Sequence, residues 1–146
     1  MAASLAACMA LATAFNHLPP KALPQIQAVE GGQNGSVHVN HNGSVDYGVM
    51  QINSLWVAAL AKSTGWTETA VRVHLMYDPC FNIAAAGAIL RQDLNETHGD
   101  LRRALAYYHS HKPSLNQTYR TRETMAGVRM FTRPLPDLPP LPQAAE

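Results

Sequence analysis

Residues 26–53 read IQAVEGGQNGSVHVNHNGSVDYGVMQIN, an apolar helical run that ends on one acid, Glu30, directly before two glycines. No Asp, Glu, Lys or Arg follows until Asp46, and the interval is Gly, Gln, Asn, Ser, Val and His. Upstream, Leu23, Ile26, Gln27 and Glu30 recur at spacings of three and four, which places them on one helix face. Pro20 fits the first turn of that helix, and Gly31 with Gly32 ends it. Residues 31–48 read as loop, with turns at the Asn-Gly pairs 34–35 and 42–43. A carboxylate in a helix's last turn meets the negative end of the helix dipole, which disfavours its charged form. Burial on an otherwise apolar face would disfavour it further. A glutamic acid held protonated is what a general acid requires. The plainer reading is an exposed Glu at a fraying helix end.

The pattern on either side is helical. Leu5, Cys8, Met9, Leu11, Ala12 and Phe15 share a face and predict a packed first helix, closed by NHLPP at 16–20. A helix restarts around Leu55, Trp56 and Leu60. Thr67 is the expected cap of a short helix, and Asp78 with Pro79 opens the run CFNIAAAGAILRQDL. That run turns Phe81, Ala84, Ala85, Ala88 and Ile89 inward, small enough for close helix contacts. GDLRRALAYYHS (99–110) is a further capped helix, and residues 113–131 are expected to form the last. Residues 134–146 hold five of the ten prolines and read as an extended tail outside the fold. There is no internal repeat and no convincing strand pattern. The expected fold class is all-α, one mainly helical domain over residues 1–133 followed by the proline-rich tail.

Bulk composition narrows the function. The chain has 146 residues, 47% hydrophobic and only 14% charged, enough for one domain with a sizeable core. Eleven basic and ten acidic residues leave a formal charge of +1, so no strong field points to nucleic acid or a membrane surface. The arginines at 120, 122, 129 and 133 read as a solvated helix face. Stable membrane insertion is not expected, because the apolar N-terminal stretch falls short of a spanning length and lacks the basic flank of a signal peptide. LAAC at 5–8 resembles a lipoprotein cleavage box, but a structured first helix is the better reading. Cys8 and Cys80 leave two options open, a disulfide or two buried thiols.

Few residues offer chemistry. Asp46, beside Tyr47 and Gly48, is the second candidate carboxylate, since two carboxylates can flank a glycosidic bond; a loop Asp beside Gly is otherwise a turn former. Asp78 is accounted for as a cap. His38/His41 and His109/His111 have no cysteine or acid at ligand spacing, so neither metal nor cofactor is expected. Ser44, Ser54 and Ser110 lack a nucleophile-elbow context. Gln51 and Asn53 bracket Ile52, and uncharged amides suit sugar hydroxyls and N-acetyl groups. Tyr47, Trp56, Tyr107, Tyr108 and Tyr119 offer flat faces for sugar rings or, individually, core packing. An acid, amides and aromatics with little fixed charge form a carbohydrate-type inventory.

Four segments, AVEGGQNGSV, DYGVMQINSLW, YDPCFNIAAAGAIL and LAYYHS, resemble in order the core motifs of the soluble lytic transglycosylase family with a lysozyme-like fold. The resemblance runs from about Cys8 to Arg122 and is nearest to the small enzymes of secretion, conjugation and pilus systems. It implies cleavage of the bond between N-acetylmuramic acid and N-acetylglucosamine in peptidoglycan, by a monomer in the periplasm or cell envelope. It implies Glu30 as the catalytic acid and Tyr47, Met50, Gln51 and Asn53 along the glycan groove. It further implies Tyr108, the tyrosine of the YHS motif, as a substrate contact, Tyr119 helping to close the site, and a disulfide between Cys8 and Cys80. Two departures stand out. Many relatives have Glu-Ser where this chain has Glu30-Gly31, and the 31–48 loop is longer than in the large soluble members.

Overall fold

The computed structural model describes residues 4–110. The arginines from 120 onward, Tyr119 and the 134–146 tail lie outside the described residues. Six α-helices follow in order: α1 (Leu5–Phe15), α2 (Ala22–Glu30), α3 (Val57–Thr64), α4 (Glu68–Tyr77), α5 (Pro79–Glu96) and α6 (Leu101–Ser110). Between α2 and α3 lies a small antiparallel sheet of β1 (Val37–Val39), β2 (Val45–Tyr47) and β3 (Ile52–Asn53), with β2 in the middle.

That sheet corrects the reading of residues 31–48 as loop and makes the domain mainly helical rather than purely so. Gly43, at φ 85°, and a hydrogen bond from Gly43 N–H to Asn40 C=O turn the β1–β2 hairpin. Its register pairs Val37 with Tyr47 and His38 with Asp46, and Asp46 pairs again with Asn53 across β2–β3. All three β1 residues are exposed. A strand of three residues with no buried face carries no in–out alternation, which is why its sequence reads as loop.

The helix ends follow local chemistry. Thr67 Oγ1 accepts from Ala70 N–H at 3.1 Å, opening α4. Asp78 Oδ1 accepts from Phe81 N–H at 3.2 Å with Pro79 in the first turn of α5. Asp100 Oδ1 accepts from Arg103 N–H at 3.2 Å at the start of α6. Each cap fills one of the donors a helix leaves open. α2 begins two residues beyond Pro20, which lies in the preceding turn, with Lys21 at its N-cap position. The stretch around Leu55 is a short 3₁₀ turn, Ser54–Trp56, that leads into α3.

α5 is the central rod, with Phe81, Ile83, Ala85, Ala86 and Leu90 wholly buried. Where α1 crosses it, Gly87 faces Ala12 and Asn16 so closely that a Cβ would lie 2.9 Å from Asn16 Nδ2 and 3.2 Å from Ala12 Cβ. The α1 face that packs is therefore its small-residue face, Cys8 and Ala12. Leu5, Leu11 and Phe15, expected to pack, are exposed instead. An apolar helix on all sides offers no periodicity to choose its inner face, and the close crossing chooses it. A disulfide joins Cys8 to Cys80, with Cα atoms 5.3 Å apart and 72 positions between them in sequence. It pins α1 to the start of α5 and contributes about 2–5 kcal/mol by restricting the unfolded chain. Cys8 is thereby a structural cysteine and not a lipid anchor. Among the described residues no single helix is long and apolar enough to cross a membrane.

Asp93, deep on α5, is a buried acid. Its Oδ2 meets no hydrogen-bond partner among the described residues. Burial, with Glu96 beside it, pushes its carboxyl up to about 8. Unfolded, the group releases its proton near pH 4; folded, it keeps it until about pH 8. The native state therefore holds more protons across that window, and stability falls as pH rises through it. After allowance for relaxation around the buried charge, a loss on the order of 2–3 kcal/mol from pH 4 to 8 is expected from this residue. Asp93→Asn should remove that slope. Urea midpoints measured at pH 4.5, 6 and 8 check it, and an unchanged slope in the variant would assign the pH dependence to other groups.

Candidate active site

Glu30 ends α2 because Gly31 takes the left-handed conformation there, φ 65°, with its N–H on Gln27 C=O at 2.9 Å. The second glycine has a different reason. A Cβ on Gly32 would overlap the carbonyl of Gly48 and press on Val49, so the chain leaving α2 lies directly on the turn after β2. The EGG triplet thus places one acid beside the 48–51 turn.

That turn is built from backbone groups held by one buried amide. Asn82, wholly buried on α5, donates from Nδ2 to Tyr47 C=O at 2.8 Å and Leu75 C=O at 2.9 Å. Its Oδ1 accepts from Met50 N–H at 2.9 Å. Gly48 must be glycine twice over, since its φ is 71° and a Cβ would strike Asn82 Nδ2 and Leu75 C=O. Gln51 sits at φ 52°, a left-handed conformation costly for a residue with a Cβ. It is held there by its own N–H on Gly48 C=O at 3.1 Å and by its Nε2 on the same oxygen at 2.9 Å.

The residues expected along the groove lie in this turn and on the strands that flank it, as side chains facing inward. Tyr47, Met50 and Asn53 are buried, and Gln51 is 8% exposed. Tyr108 is buried as well, and its hydroxyl donates to Met50 C=O at 2.9 Å, tying α6 to the turn. Burial, with added repulsion from Glu30, Asp93 and Asp46, pushes that hydroxyl well above the ordinary phenol range, so it stays a donor. Trp56 also belongs to the core. Tyr119, the remaining expected contact, lies outside the described residues.

Asp46 is buried on β2. Its Oδ1 accepts from Asn53 Nδ2 at 2.8 Å and its Oδ2 from Asn40 Nδ2 at 3.1 Å. Both oxygens are engaged in holding the sheet together. The partner of Glu30 is instead His109, on the last turn of α6, whose Nδ1 lies 2.6 Å from Glu30 Oε1. The side chains are 15% exposed for Glu30 and 32% for His109. Sequence reasoning weighed His109 only as a metal ligand and passed over Asn82. Neither carries a local signal, because the partner of His109 is 79 positions away and those of Asn82 are 7, 32 and 35 positions away. Among the described residues no group of three His, Cys, Asp or Glu side chains is arranged to hold a metal.

The arrangement offers one partly exposed carboxyl with an imidazole on one of its oxygens, seated on a rigid turn. The chain is 36% identical over 77 residues to Protein IpgF of Shigella flexneri and 35% identical over 77 residues to Protein IpgF of Shigella sonnei. Each match covers 52% of this chain and 47% of the relative, so the match spans about half the length of either protein. The transglycosylase SLT domain matches residues 7–128, taking in Glu30, the 48–51 turn and all of α5 and α6, and the chain belongs to that family.

Proposed function

We propose that this chain is a lytic transglycosylase with a lysozyme-like fold, cutting the β-1,4 bond between N-acetylmuramic acid and N-acetylglucosamine, with Glu30 as general acid and then general base. The observation that carries the reading is that Glu30 Oε2 has no protein partner among the described residues, while both oxygens of Asp46 are taken. A single free carboxyl suits a reaction that needs only one. In the first step Glu30 gives its proton to the glycosidic oxygen as the bond to the muramic C1 breaks. The muramic N-acetyl oxygen stabilises the electron-poor carbon. In the second step the carboxylate takes the proton of the C6 hydroxyl while that oxygen closes on C1. Glu30 regains the proton it gave, no water is consumed, and the product is a 1,6-anhydro ring. Tyr47, Met50, Gln51, Asn53 and Tyr108 serve this site by shaping the wall beside Glu30, and Tyr119 would close it. The domain would work in the periplasm or cell envelope, and the resemblance to secretion, conjugation and pilus enzymes supports a place beside such a machine.

The rival is a muramidase that hydrolyses the same bond with Asp46 as second carboxylate. Mass analysis of digested sacculi separates the two. The expected muramic terminus is about 18 mass units lighter than a hydrolysed end. Asp46→Asn should keep measurable activity but melt earlier, because its new NH₂ would face the amide of Asn40 or Asn53, costing about 1–3 kcal/mol. Free reducing ends together with a folded but inactive Asp46→Asn would make the protein a hydrolase.

A further inference from the structure

We infer that His109 is the positioning residue of the acid: neutral and protonated on Nδ1, it donates to Glu30 Oε1 and so leaves the transferable proton on Oε2. The inference rests on the reading of Glu30 as the acid. Its ground is the 2.6 Å approach of Nδ1 to Oε1, a contact between α6 and α2 across 79 positions of sequence. The distance is short even for a charge-assisted bond. His109 is no buried core imidazole, since its side chain is 32% exposed, and Oε1 is the one acceptor its Nδ1 meets among the described residues.

The tautomer follows from the two-step reaction. Glu30 is a neutral acid before the first proton transfer and a carboxylate after it. An Nδ1–H donor serves both forms, because Oε1 accepts in either, and the mobile proton is confined to Oε2. The opposite tautomer, with its proton on Nε2, would need Oε1–H as donor. That would point the proton at the imidazole instead of the sugar and set two lone pairs against each other once Glu30 ionised. A doubly protonated His109 also fails, since an imidazolium beside Glu30 favours the carboxylate and drains the acid. Only the neutral Nδ1–H form supports both steps.

Among the described residues the other titratable groups around the pair come from three elements. Tyr108 on α6 is a fixed donor to Met50, and Asp93 on α5 titrates at about 8. The carboxyl of Asp46 on β2 accepts from Asn40 and Asn53. None of these is an imidazole, so a pH effect on the acid side that depends on residue 109 reports His109 itself.

Two variants and one spectrum test this on the full chain, with solubilised glycan strands as substrate. His109→Ala should lower kcat by about 10–100-fold with KM changed less than about threefold, because the carboxyl loses its orientation and not its substrate. His109→Asn can place an amide N–H near the position of Nδ1 and has no proton to gain. It should return kcat to within about threefold of wild type near pH 7, and keep more of its activity than wild type at about pH 5. The imidazole ¹⁵N shifts of the unmodified protein should report the Nδ1–H tautomer near neutrality. The inference is overturned by an Nε2–H tautomer, by a His109→Ala enzyme within twofold of wild type, or by a His109→Asn enzyme no better than His109→Ala. Glu30→Gln is run beside them. If that variant stays active, the assignment of Glu30 fails; if it is inactive while both His109 variants match wild type, only the role of His109 fails.

Discussion

Glu30→Gln is expected to leave folding and glycan binding almost unchanged and to reduce turnover of sacculi by about 10³-fold or more, beyond what a misplaced contact alone would cost. The substitution is close to isosteric, and the amide oxygen still accepts from His109 Nδ1–H, the bond that joins α2 to α6. Gly31 still ends the helix in its left-handed conformation, so the backbone at the site has no reason to move. What is lost is the one proton that the proposed reaction moves twice. Circular dichroism and a melting curve establish the fold, pelleting with sacculi establishes binding, and product release measures turnover. A folded Glu30→Gln that releases products at near the wild-type rate would remove Glu30 from the mechanism.

The parts of this domain that could be read from its sequence are those whose causes are local. Thr67, and Asp78 with Pro79, open their helices through bonds that span three residues, and each was legible. So was the end of α2 at Glu30, because a glycine pair stops a helix wherever it falls. The sheet was not legible. β1 and β2 have three residues each, and β1 has no buried face from which a two-residue period could be recognised. α1 was read as a helix whose packed face included Cys8 and Ala12, which are buried, and Leu5, Leu11 and Phe15, which are not. Its large apolar residues suggested packing, whereas its contact with Gly87 admits only small ones. The candidate site divides the same way. Glu30, the proposed acid, announces itself at a helix end. Its partner His109 and the amide of Asn82 act across long sequence distances, and only the fold puts them in place. Gln51 and Asn53 were singled out as amides suited to sugar groups; in the fold Gln51 Nε2 donates to Gly48 C=O and Asn53 Nδ2 to Asp46 Oδ1.

Asn82 is where the largest loss of stability is expected, because one side chain satisfies three buried backbone groups from two other parts of the chain. Asn82→Ala would leave Met50 N–H, Tyr47 C=O and Leu75 C=O without the partners they have at 2.9, 2.8 and 2.9 Å. Each orphaned group costs about 1–3 kcal/mol, and since water can reach a vacated site in part, a total of about 3–5 kcal/mol is expected. Against a typical stability of about 5–15 kcal/mol that is a large fraction, and the melting temperature should fall on the order of 10 °C or more. Asn82→Asp should be at least as damaging although it keeps an acceptor for Met50 N–H. Its second oxygen would face the carbonyls of Tyr47 and Leu75, replacing two hydrogen bonds with repulsion in a site closed to water. The consequence for the site follows from Gln51, whose left-handed backbone at φ 52° persists only while the Gly48 turn is held. With the clamp released, that strain of about 1–2 kcal/mol has a way to relax, and the wall beside Glu30 changes shape. Activity should therefore fall even below the variant's melting temperature, and addition of substrate should not restore it. Melting curves for both variants and kcat at 15 °C provide the check. An Asn82→Ala protein that melts within about 3 °C of wild type, a loss under 1 kcal/mol, would show that the turn holds itself and that Asn82 merely fills space.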